Sequence, residues 1–121
     1  MQTLKIIFNH KFPNWNDIIN TDRYNKYAGA KLKKKEMEVA SIYLRNIPKI
    51  EKYPIKINCI WYVKNINSDL DNKCIKPILD QMQQMGILEN DNIKHIREIN
   101  HKAIKSDSDY LEMEIVENEV C

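Results

Sequence analysis

The sequence predicts one α+β domain, a small mixed sheet of about four strands with two main helices packed on it. Residues 55–63 (IKINCIWYV) alternate in the strand period, with Ile55, Ile57, Cys59, Trp61 and Val63 on one face. Two stretches, Tyr27–Asn46 and the segment running to about Met85, instead carry apolar residues at helical spacing. The length of 121 residues suits a single core, so 1–121 is read as one domain.

Each element follows in order. Thr3–Asn9 is a short strand, with Leu4, Ile6 and Phe8 turned one way. Phe12–Asp22 reads as turn, because Pro13, Asn14 and Asn16 discourage regular structure. The helix over Tyr27–Asn46 has Ala28, Leu32, Val39, Ile42, Tyr43 and Leu44 as its stripe, and Pro48 ends it. Pro54–Lys64 is the strongest strand, followed by a loop at Asn65–Ser68. The second helix buries Ile75, Ile78, Leu79, Met82 and Met85, with Pro77 tolerable only in its first turn and Gly86 as its stop. Ile93–Ile104 and Tyr110–Val116 are the last strands, joined by a hairpin turn at Asp107–Asp109, and Val120 and Cys121 read as a frayed tail.

Composition narrows the function classes. Apolar residues make up 43% and charged residues 30%, the balance of a globular chain rather than a disordered one. No run of about 18 apolar residues exists for a membrane span, and the start MQTLKIIFNHKF lacks a signal-peptide pattern, so a cytoplasmic protein, of cellular, phage or prophage origin, is expected. Cys59, Cys74 and Cys121 are widely spaced without a CxxC pair, which argues against a zinc ribbon or thioredoxin motif and for buried thiols at Cys59 and Cys74. His10, His95 and His101 lack ligand spacing and read as surface residues. Net charge is +2 but unevenly spread: residues 1–56 hold 12 Lys+Arg against 5 Asp+Glu, and residues 57–121 hold 7 against 12. A basic half beside an acidic half suits a polyanion surface next to a carboxylate site, although the halves could also interleave.

The chemistry concentrates in Ser68-Asp69-Leu70-Asp71-Asn72. In an extended chain Asp69 and Asp71 would point to one side while Leu70 turned to the core. Paired carboxylates repel, and a hard divalent cation relieves the repulsion. The alternative is that either aspartate caps the next helix. The segment is not an EF-hand, because Cys74 stands where that loop needs glycine, nor a DxDxT phosphatase motif, because Lys73 replaces the threonine. A turn after the second helix could return Asp91 to the pair, and three carboxylates without histidine or thiolate suit Mg²⁺ or Mn²⁺.

Three runs together, DLDN at 69–72, KPILD at 76–80 and GILEND at 86–91, resemble the signature of the RusA-type Holliday-junction resolvases (crossover junction endodeoxyribonucleases). The likeness covers residues 69–95 well and extends weakly to YNKYAGAKLKKK at 24–35. It implies a RusA-like endonuclease domain acting in DNA recombination and repair: a homodimer that nicks four-way DNA junctions symmetrically with magnesium. It further implies Asp69, Asp71 and Asp91 as metal ligands and Lys76 as the catalytic lysine. Read without the resemblance, Lys76 is a solvated partner of Asp80, four residues on. Three positions depart from the pattern: Lys76 lies five rather than four residues after Asp71, Asn90 stands where an acid is usual, and Lys73 replaces an apolar residue. A catalytically silent branched-DNA binder and a flap or general branched-DNA nuclease on the same fold are the alternatives. Arg23, Lys31, Lys33, Lys34, Lys35 and Lys73 are the candidate phosphate contacts.

Overall fold

The computed structural model describes residues 3–117 (the side chains of Asp22, Tyr24 and Lys26 aside); the expected frayed tail at Val120 and Cys121 lies outside them. The elements are β1 (Thr3–Phe8), α1 (Trp15–Tyr24), α2 (Lys26–Leu44), β2 (Ile55–Val63), a 3₁₀ turn (Leu70–Asn72), α3 (Lys76–Gln84), β3 (Ile96–Lys105) and β4 (Tyr110–Glu117). One four-stranded mixed sheet has the order β1-β4-β2-β3. The α+β class and the strand number agree with the sequence reading.

β2 is buried at every second residue, as its alternation requires. Its inward side chains join Leu111, Met113 and Ile115 of β4, Ile6 and Phe8 of β1, Ala40 and Leu44 of α2, and Ile78, Leu79 and Met82 of α3 in one core. Fully burying an aliphatic side chain such as Ile57 or Leu111 contributes about 1.5–3 kcal/mol. The core therefore fixes where the loops between these elements emerge. Cys59 and Cys74 are free and buried, and burial pushes the Cys59 thiol up to about 12.

Two expectations about the elements are overturned. Residues 15–24 form a helix rather than a turn, because the Asp17 carboxylate accepts the Asn14 N–H at 2.9 Å and supports the first helical turn. The chain thus has a third α-helix among the described residues. Nor do the last two strands form a hairpin. β3 runs parallel to β2 from the register pair Ile55–Ile96, while β4 inserts antiparallel between β1 and β2. Inward apolar side chains decide this: β4 buries Leu111, Met113, Ile115 and Val116, whereas β3 buries only Ile96 and occupies an edge. A strand with one core residue loses little at the edge, and burial outweighs the tendency of sequence neighbours to pair.

α2 also departs from its predicted stripe. Ile42 is exposed, and the helix instead turns Gly29, Glu36, Ala40 and Leu44 inward, with Lys33 half-buried. The two charged residues in this row carry internal partners. Glu36, 5% exposed, meets His10 Nε2 at 2.7 Å, and Lys33 reaches α3. His10 and His95 are accordingly half-buried rather than surface residues, and His95 packs edge-on against Tyr53. Trp61 is core and Tyr62 half-buried on the open face, stacked on Tyr110 at 4.2 Å between ring centroids.

Candidate active site

The acidic pair lies after the C-terminal end of β2. Asn65 turns the chain there, its backbone oxygen accepting the Ser68 hydroxyl at 2.8 Å and its side-chain oxygen the Asn67 N–H at 2.9 Å. Asp69 is extended, and residues 70–72 then wind into the 3₁₀ turn, so the extended course expected for Asp69-Leu70-Asp71 stops at Asp69. Leu70 is 39% exposed instead of core, since in a 3₁₀ turn consecutive residues rotate by about 120° rather than alternate. The Asp69 side chain makes no cap hydrogen bond, which removes the capping alternative for it. Asn72 has a different duty: its side-chain oxygen accepts the Asn16 N–H at 3.1 Å and ties the acidic loop to the start of α1.

Lys73 to Ile75 are not helical, and α3 begins at Lys76 with Pro77 in its first turn, where the missing N–H is harmless. Asp71 and Lys76 are therefore not in one regular helix. The 100° per residue of a continuous helix therefore does not set the direction of Lys76 relative to Asp71. Lys73 lies over the Trp61 ring at 5.7 Å, and desolvation, then the nearby Lys11 charge, lowers its pKa.

The far end of α3 explains the return of Asp91. Gly86 adopts φ +76°, its N–H reaching the Gln83 oxygen at 3.1 Å while the Ile87 N–H reaches the Met82 oxygen at 2.9 Å. This pair of bonds closes the helix and reverses the chain. Ile87 and Leu88 then enter the core, the Ile87 oxygen accepts the Ile50 N–H at 2.8 Å, and the Glu89 N–H donates to the Tyr53 hydroxyl at 2.9 Å. The segment is thus held back along α3, and Asp91 arrives at the helix start. Its Oδ2 lies 2.6 Å from Lys76 Nζ. Asn90 accepts the Asn92 N–H at 3.0 Å through its side-chain oxygen.

Lys76 also lies 3.2 Å from Asp80 Oδ1, and the other oxygen of Asp80 lies 2.7 Å from Lys33 Nζ of α2. Four charged groups from two helices and the α3–β3 loop thus form one chain, Lys33–Asp80–Lys76–Asp91. The hydrogen bond to Asp91 raises the Lys76 pKa above its ordinary value, and the same bond holds the Asp91 carboxyl below the usual carboxylate range. Both residues are charged at neutral pH.

Of the six suggested phosphate contacts, Arg23, Lys31, Lys34 and Lys35 are exposed, Lys33 is engaged by Asp80, and Lys73 packs on Trp61. Asp69 and Asp71 are exposed, and no hydrogen bond or ion pair among the described residues engages either carboxylate. Asp69, Asp71 and Asp91 suit a hard cation in donor type. Among the described residues, however, no three His, Cys, Asp or Glu side chains come together as one ion's ligands. Asp91 lies at the start of α3 with its carboxylate taken by Lys76. The Lys76–Asp80 spacing was visible in the sequence. The partnership of Lys33 with Asp80 was not, because it joins residues 47 apart.

A scan against protein-family models finds no match, and no curated protein matches the sequence.

Proposed function

We propose that this chain is a divalent-metal-dependent endodeoxyribonuclease of the RusA type, which resolves four-way DNA junctions as a homodimer. One observation carries the reading: the acid after Gly86 is brought back to within 2.6 Å of Lys76, at the start of the helix that follows Asp69-Leu70-Asp71-Asn72. That juxtaposition is what the three resembling runs require if they serve one site.

In this reading Asp69, Asp71 and Asp91 would hold Mg²⁺ or Mn²⁺. The ion supplies a lowered pKa for a bound water and offsets charge on the phosphate oxygens. Lys76, 44% exposed at its side chain, presents a fixed positive charge at the rim and hydrogen-bonds a phosphate oxygen. Asp80 keeps that ammonium at the helix start. Arg23, Lys31, Lys34 and Lys35 follow the DNA backbone without reading sequence. Two-fold symmetry of the dimer would match the paired nicks.

A second reading, a silent branched-DNA binder, is favoured by the engagement of the Asp91 carboxylate by Lys76. Incubation of the purified protein with a synthetic four-way junction, a flap and a linear duplex at one salt concentration, with and without Mg²⁺, separates the readings. Magnesium-dependent paired nicks in the junction, abolished by Asp71→Asn with binding retained, are expected. Tight junction binding without cleavage would replace the nuclease reading by the silent binder, and equal cleavage of the flap would replace junction specificity by a general branched-DNA nuclease.

A further inference from the structure

The sheet order β1-β4-β2-β3 leaves β3 with one neighbour and one free edge. Every second residue of an edge strand turns its N–H and C=O away from the sheet, and such an unpaired row is a template for another strand. β3 is long for an edge, ten residues from Ile96 to Lys105, and all but Ile96 are exposed. It contains no proline, and its register against β2 is regular from Glu98 to Lys105, the one irregularity lying at Arg97. No loop or helix among the described residues bonds to the backbone of residues 98–105. Lysine is one of the devices that guard an edge, but on β3 it comes matched with an acid. A two-fold axis perpendicular to the sheet keeps each residue on its own side, so it passes through a residue of β3 rather than between two. With the axis on Asn100, Glu98 faces the second copy's Lys102, Lys102 faces its Glu98, and Ile99 faces its His101. An axis on Glu98, His101 or Lys102 sets like charges opposite each other, and one on Ile99 pairs no charges at all. Neither Glu98 nor Lys102 has an ion-pair partner among the described residues of a single chain.

We propose that β3 is the contact between two copies of this chain: the strands pair antiparallel about Asn100, and the two four-stranded sheets join into one of eight strands. Ladder hydrogen bonds supply the affinity, and the two Glu98–Lys102 pairs fix the register. Edge-to-edge pairing adds main-chain bonds but little apolar area. The interface therefore falls at the small end of specific ones, below about 1,200 Å², and the dimer is reversible. The inference rests on the homodimeric part of the proposed function, to which it gives an interface, and on nothing else in it. No metal, no DNA and none of the acids of the candidate site takes part.

The test is sedimentation velocity of the full chain over a concentration series, without DNA or metal and at low salt, where exposed charge pairs are least screened. The samples are the wild type, Glu98→Lys, Lys102→Glu, the two changes together in one chain, and an equimolar mixture of the two single variants. Both positions are exposed, and circular dichroism melts verify that each variant is folded. The wild type is expected to shift with concentration toward a species of twice the 14.4 kDa chain mass. Each single reversal sets two like-charge pairs across the axis and should raise the dimer Kd roughly tenfold or more. The double reversal restores both opposite-charge pairs and should return Kd close to the wild-type value. The mixture should do the same, because one copy then carries only positive and the other only negative charge at the paired positions. A double variant and a mixture as weakly associated as the single variants would overturn the pairing about Asn100. A dimer indifferent to every reversal would overturn the β3 contact and leave a homodimer through another surface. A wild type that stays monomeric throughout would overturn the contact and the homodimer together, with the nuclease reading still decided separately by junction cleavage.

Discussion

Replacing Asp80 by asparagine keeps the shape of the side chain and removes the charge that joins α2 to α3. Its magnitude follows from the geometry. Asp80 accepts from Lys33 at 2.7 Å and from Lys76 at 3.2 Å, and both lysine side chains are close to half exposed, at 45% and 44%. Exposed pairs of this kind are worth roughly 0.2–1 kcal/mol each, well below a dry ion pair, because water and salt screen the lysines. Asparagine retains weaker hydrogen bonding to both, so a net loss of about 1 kcal/mol is expected. For a chain of this size that is a fall of roughly 3–6 °C in Tm. Urea denaturation followed by circular dichroism measures it, and a double-mutant cycle with Lys33→Met should return a coupling of about 0.5–1 kcal/mol. In 1 M salt, where the screening length is about 3 Å, much of that coupling should disappear. A coupling of zero would refute the Lys33–Asp80 link. A loss above about 3 kcal/mol would show instead that the aspartate serves a buried pair, whose rupture costs that much.

Three further outcomes are expected. Gly86→Ala should cost about 1–2 kcal/mol from backbone strain alone, since φ is +76° and a Cβ there would meet nothing within 4 Å; Gly86→Asn should cost less, and an unchanged urea midpoint for the alanine variant would contradict the helix-closing role. Trp61 Nε1 donates to His101 Nδ1 at 2.9 Å, and desolvation lowers the His101 pKa from 6.5, so the unfolded chain takes up that proton first as pH falls. Stability contributed by this ring is therefore complete above about 6.5 and lost on acidification below it, and His101→Gln should flatten denaturation midpoints between pH 7.5 and 5.5; parallel curves would refute the coupling. Lys34→Ala with Lys35→Ala, both exposed on α2, should reduce the salt slope of junction binding by up to about two, and an unchanged slope would remove these lysines from the interface.

The sequence by itself determined the elements whose periodicity is strong. The alternation Ile55–Val63 can bury only one face and so had to be a strand, and Pro77 and Gly86 bounded α3 because proline lacks a donor and glycine tolerates positive φ. It also supplied the acidic and basic side chains of the candidate site and their order along the chain. Tertiary structure decided the rest, because the remaining contacts join residues far apart. The insertion of β4 between β1 and β2 depends on the apolar side chains that several strands contribute to one core, a quantity no single segment displays. The helix at Trp15–Tyr24 was hidden because the Asn14–Asp17 cap sits among residues that elsewhere make turns. The engagement of Asp91 by Lys76, and of Asp80 by Lys33, arises only when the Gly86 turn and the packing of α2 on α3 bring those charges within hydrogen-bond reach, where solvation and pairing compete over distances that chain order does not encode.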